Sequence, residues 1–113
     1  MKLSDADVTR FADMFAALGA DPRLRIMRHL LSAHPDGMVV GEIHEETGIA
    51  NSTLSHHLEK LKIDELVTAE REKAFIRYRA NTAALEELLG FLYAECCTRN
   101  RAIEPRKIAA LCK

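Results

Sequence analysis

The sequence predicts a mainly α-helical domain with one small β-hairpin, its elements in the order α-α-α-α-β-β-α. Three observations carry this. Within Ile49–Ile63, IANSTLSHHLEKLKI, the residues Leu54, Leu58 and Leu61 recur at helical spacing while small polar residues occupy the sides and back of the same cylinder. After Asp64 the period changes from helical to alternating, as strands require. Beyond Asn81 the helical period returns as a strongly apolar stripe.

In chain order, Ser4 followed by Asp7 opens the first helix as a capping box, and Val8, Phe11, Ala12, Phe15 and Leu18 form its apolar stripe up to Gly19. Asp21 caps a second helix with Pro22 at its first position, and Leu24, Met27, Leu30 and Leu31 supply its buried face. Arg23, Arg25 and Arg28 read as its solvated side, and His29 and His34 lack a spaced acidic or thiol partner. Pro35-Asp36-Gly37 is a turn, because proline presets one dihedral and glycine permits a positive one. A short extended piece over Met38–Val40 leads into the brief helix GEIHEET, closed by Gly48 in a left-handed cap. Helix, tight connection, then Ile49–Ile63 is a helix-turn-helix order.

Leu66–Arg71 and Ala74–Ala80 then read as a hairpin with its tip at Glu72-Lys73, placing Phe75, Arg77 and Arg79 on one side and Ile76 and Tyr78 on the other. Asn81 or Thr82 caps a long last helix, with Glu86 and Glu87 near its positive end and Leu85, Leu88, Leu89, Leu92 and Cys96 as its stripe. Thr98–Glu104 is a polar loop, and Pro105 starts a short helix with Ile108, Leu111 and Cys112 on one face. Residues 1–97 therefore form one domain and 98–113 a tail. Three helices carry more apolar surface than a monomer of 113 residues covers, so a homodimer is expected.

A net charge of −1 and a pI near 6.5 argue against non-specific coating of nucleic acid. Any DNA contact must come from a local cluster, and the basic balance does tilt after Ala50, with 11 Lys+Arg against 9 Asp+Glu compared with 5 against 8 before it. No apolar run of membrane length and no leader-like start occur, so a cytoplasmic chain without a membrane partner is expected. There the three cysteines are expected as free thiols. A phosphate loop, a nucleophile elbow and a zinc-protease helix are all absent, which argues against an enzyme.

Ser52, Thr53, Ser55, His56 and Lys60 lie off the leucine face. Short hydroxyls let a helix backbone approach phosphates while imidazole and ammonium groups reach base edges, so this face fits the major groove of operator DNA. The following basic hairpin has the look of a wing, with Arg71, Lys73, Arg77 and Arg79 as candidates for phosphate or minor-groove contact.

The run ALGADPRLRIMRHLL, the segment GEIHEETGIANSTLSHHLEKLKIDELV and the hairpin AEREKAFIRYRAN resemble the ArsR/SmtB family of winged helix-turn-helix metalloregulatory repressors over roughly residues 11–97. The resemblance implies a homodimer whose recognition helices enter successive major grooves and which leaves its operator when an inducer binds. It puts Ser52, Thr53, Ser55 and His56 where that family contacts DNA, and gives His57 a packing role. Two family sites are missing: Val39-Val40-Gly41 stands where many arsenic sensors have Cys-Val-Cys, and the last helix lacks the histidines of zinc and nickel sensors.

What remains is Glu95-Cys96-Cys97, with Cys112 downstream, and all three cysteines fall within the last eighteen residues. Soft thiolates select thiophilic ions, and three sulfurs without a nearby histidine suit a three-coordinate centre such as arsenic(III) or antimony(III). The vicinal pair also resembles that of an arsenic-sensing subgroup with C-terminal cysteines. Cys96, Cys97 and Cys112 are therefore the candidate metal ligands, although Cys96 and Cys97 diverge by about 100° on an ideal helix. The alternatives are a thiol redox or persulfide sensor of the same fold, pairing Cys112 with Cys96 or Cys97, and a protein-interaction module that binds no DNA.

Overall fold

The computed structural model describes residues 3–112, apart from the side chains of residues 95–99. The elements run α1 (Asp5–Leu18), α2 (Asp21–Ser32), β1 (Met38–Val39), α3 (Val40–Thr47), α4 (Asn51–Ile63), β2 (Val67–Glu72), β3 (Phe75–Ala80), α5 (Thr82–Arg99) and α6 (Pro105–Ala109). This is a mainly helical winged helix-turn-helix in the expected order, and the short extended piece and the short last helix read from the sequence appear as β1 and α6. The two residues of β1 pair antiparallel with β3, Met38 opposite Tyr78 and Val39 opposite Arg77, so the hairpin is part of a three-stranded sheet ordered β1-β3-β2.

One apolar core joins the elements: Phe11, Met14, Ile26, Met27, Leu30, Ile43, Leu54, Leu58, Leu61 and Leu88 are all buried. The Ser4 capping box forms as expected, with Asp7 N–H donating to Ser4 Oγ at 3.1 Å and Ser4 N–H to the Asp7 carboxylate at 3.0 Å. The Ser4 N–H first, then the Ser4 hydroxyl donating to the same carboxylate at 3.0 Å, hold the Asp7 carboxyl below its ordinary pKa.

Helix faces differ from the expected stripes. In α1 the buried residues are Phe11, Met14 and Ala17, whereas Val8 is 49% and Phe15 38% exposed. In α2 they are Ile26, Met27 and Leu30, with Leu24 and Leu31 turned outward. Both helices are apolar on more than one side, and the monomer's core takes only one. Asp21 pairs with Arg25 instead of capping α2, whose N-cap is Ala20. Glu87 lies past the first turn of α5 and pairs with Arg10 at 3.0 Å, while Phe11 stacks on Phe91 with ring centroids 4.9 Å apart. Asn81 is the cap of α5, its Oδ1 accepting from Ala84 N–H at 3.2 Å.

The face left uncovered is continuous. Phe15, Leu18, Leu31, Leu85, Leu88 and Leu89 line a groove between α1, α2 and α5, and Leu89 also borders a second groove formed by Leu92, Tyr93, Ile103, Pro105 and Ile108. No residue of α6 is buried. Among the described residues no helix is long and apolar enough to cross a membrane.

Candidate nucleic-acid interface

The connection between α3 and α4 is fixed by its own backbone. Gly48, at φ 74°, takes the left-handed conformation that reverses the chain, and its N–H donates to the His44 carbonyl. Thr47 Oγ1 donates to the Ile43 carbonyl at 2.7 Å and accepts from Ile49 N–H at 3.2 Å, while His44 Nδ1 lies 2.6 Å from the Ile49 carbonyl. With Leu54, Leu58 and Leu61 sunk in the core, only one orientation of α4 is left. That orientation exposes Ser52, Thr53, Ser55 and His56 together. Ser55 Oγ donates to the Asn51 carbonyl, and among the described residues neither Ser52 nor Thr53 uses its hydroxyl within the protein. Lys60 is less free. Its ammonium sits 3.0 Å from the Asp64 carboxylate, whose side chain is only 9% exposed.

His57 is half-buried and faces α2, with Nδ1 3.4 Å from Arg23 Nη1, and Arg23 Nε donates to the Ala17 carbonyl at 2.7 Å. Burial first, then the charges of Arg23 and His56, lower its pKa from the ordinary 6.5. The unfolded chain thus takes up the proton more readily, so His57 costs nothing well above that value and destabilises the fold as pH falls below it. Replacing His57→Gln is expected to flatten the loss of Tm between about pH 7 and 5; a wild-type slope in the variant's melts would show that the proton goes elsewhere.

In the hairpin, Glu72 pairs with Phe75, so the turn is Lys73-Ala74, one residue beyond the expected tip, with Lys73 left-handed at φ 53°. Register sorts the side chains. Arg71 and Ile76 share a face with Tyr78, which lies toward α4: burial, then the nearby Glu59 of α4, raises the Tyr78 pKa. Arg71 and Lys73 are exposed and, among the described residues, have no ion-pair partner. Phe75, 63% exposed, stands at the tip on the opposite face. Arg77 and Arg79 share that opposite face and are engaged within the protein. Arg77 Nε donates to Glu72 at 2.9 Å and Arg79 Nη1 to Glu70 at 3.2 Å. The alternating pattern marked the face but not the acidic residues waiting on it.

The side chains of Cys96 and Cys97 lie outside the described residues. Cys112 is an exposed free thiol, and among the described residues no group of three His, Cys, Asp or Glu side chains is arranged to hold a metal ion.

Residues 16–69 match a family model described as a helix-turn-helix domain. The nodulation protein NolR of Rhizobium meliloti is 32% identical over 91 residues, 80% of this chain and 70% of that protein. The transcriptional repressor SdpR of Bacillus subtilis is 32% identical over 80 residues, 71% of this chain and 86% of that one. Among solved structures, the homodimeric winged helix-turn-helix DNA-binding domain of Mb0332 from Mycobacterium bovis, called a possible ArsR-family regulator, superposes with a TM-score of 0.65 at 28% identity, covering 90% of this chain and 97% of that one.

Proposed function

Because the chain belongs to the ArsR family of winged helix-turn-helix transcriptional regulators, we propose that it is a repressor that grips operator DNA as a homodimer and releases it when arsenic(III) or antimony(III) binds the thiolates of Cys96, Cys97 and Cys112. The DNA half of this reading is carried by one observation: Ser52, Thr53, Ser55 and His56 project together from a helix whose other face is fixed in the core. Arg71 and Lys73 extend the contact along the backbone, and Lys60 contributes charge at the far end of α4. Two copies joined through the uncovered α1–α2–α5 face would present two such helices, and operator half-sites about one turn apart, roughly 34–36 Å, are the matching target.

The inducer half rests on the donor set. Three thiols, two at the end of α5 and one in the tail, without a histidine, suit a soft trivalent ion and leave tetrahedral zinc one ligand short. Bound there, the ion supplies covalent bonds to sulfur, and it acts on DNA binding only to the extent that it favours one dimer arrangement over the other. The exposed thiol of Cys112 supports a second reading, release by thiol oxidation.

The test is fluorescence anisotropy on the fragment upstream of the chain's own coding sequence, titrated with arsenite, antimonite, zinc and peroxide. Cys96→Ser and Cys97→Ser are expected to bind with wild-type affinity and to stay bound in arsenite. Normal release by both variants would overturn the metalloid site. Release by peroxide alone, with no metalloid retained by mass spectrometry, assigns the redox reading. If no salt-dependent binding occurs, the repressor itself is refuted.

A further inference from the structure

Two of the wing's cations are spoken for. From the face of β3 turned away from Tyr78, Arg77 and Arg79 reach the carbonyls of the turn between α2 and β1 in sequence: Arg79 Nε donates to Pro35 O at 3.1 Å, and Arg77 Nη1 lies 3.5 Å from both Asp36 O and Gly37 O. Their other nitrogens hold the wing's own acids, Arg77 on Glu72 and Arg79 on Glu70, with Arg79 Nη2 also 4.0 Å from Glu72. Arg77 lies 4.0 Å from Glu42 as well, the residue whose carboxylate accepts Val39 N–H at 3.0 Å and so starts α3. Glu72, then burial acting the other way, dominates the upward shift of the Arg77 pKa.

We propose that Arg77, supported by Arg79, is a positioning residue that clamps the wing to the Pro35–Gly37 turn and to the start of the helix-turn-helix, and that it does not contact phosphate. A planar fork with fixed donors suits this arrangement, since one guanidinium bridges a carboxylate and two carbonyls. Hairpin and reading helix are thereby held in one orientation, and the cations left for DNA are Arg71 and Lys73, on the other side or at the tip. The DNA-binding limb of this inference rests on the operator reading above; the structural limb does not.

The two roles leave different marks in a salt titration. Removing a phosphate contact lowers the slope of log affinity against log salt by about 0.9. Arg77→Ala is expected to weaken operator binding about tenfold at constant slope. Arg77→Lys, which keeps the charge but loses the fork, is expected to fare little better. Glu72→Gln should also weaken binding, although it removes a negative charge from the wing, and Arg77→Ala should add little on top of it. Hydroxyl-radical footprints are expected to lose protection flanking each half-site while keeping that of α4, a selective loss that general destabilisation does not produce. A reduced slope in Arg77→Ala with recovery in Arg77→Lys would make Arg77 a phosphate contact and overturn the clamp, as would wild-type binding and footprint in Arg77→Ala. Without DNA, amide exchange in Arg77→Ala should quicken over residues 70–77 and not in α1; unchanged exchange overturns the clamp even if the operator reading has already failed.

Discussion

Leu89→Glu is expected to convert the dimer to a folded monomer and to abolish operator binding at concentrations where the wild type is saturated. Leu89 is 65% exposed and borders both apolar grooves, so it contributes little to the core of one chain and stands at the centre of the face proposed to meet a second. In a two-fold interface the substitution enters twice, and each carboxylate would be taken from water without a partner. A dimer dissociation constant raised by at least about 100-fold is expected. Sedimentation equilibrium measures it, and an unchanged far-UV CD spectrum and Tm separate it from unfolding. Should Leu89→Glu remain dimeric, the α1–α2–α5 face is not the interface.

Gly37→Ala is expected to be the most damaging single methyl in the chain. Gly37 is buried at φ +75°, and a Cβ there would meet the Tyr78 carbonyl oxygen at 2.4 Å and Arg79 Cγ at 2.6 Å. The arginine stem can move; the carbonyl, held in the β1–β3 ladder, cannot without opening the sheet. Left-handed strain and the overlap together are expected to cost about 2–4 kcal/mol, lowering Tm by roughly 10 °C or more. Gly41→Ala is the control, since a Cβ there has nothing within 4 Å and it lies in a helix that gains from alanine. Equal melts for the two variants would show that the turn tolerates displacement.

Much of the frame was legible in the residues. The capping box at Ser4, the left-handed Gly48 and the switch of period after Asp64 each have a local cause, and each appears where expected. Less legible was which side of an apolar helix faces its own core. Val8, Phe11, Met14, Phe15 and Leu18 span one stripe about 120° wide on α1, and periodicity alone cannot divide it between core and outer face. The two-residue β1 carries no period of its own; its pairing follows from the turn at Gly37. Of the candidate site, the exposed face of α4 followed directly from the leucine spacing, whereas the fates of Lys60, Arg77 and Arg79 depended on acids distant or unremarkable in sequence. The cysteine pair at the end of α5 lies outside what the structure describes.

Arg10 has a mechanical consequence. Reaching from α1, it holds Glu65, beside the carboxyl end of α4, at 3.2 Å and Glu87 of α5 at 3.0 Å, both at the surface. Such links soften as electrolyte screens them over about 8 Å at physiological strength. The coupling between the outer helices and the reading head is thus elastic, stiff in dilute buffer and slack in brine, and ionic surroundings would set how far a tilt on one side is felt on the other.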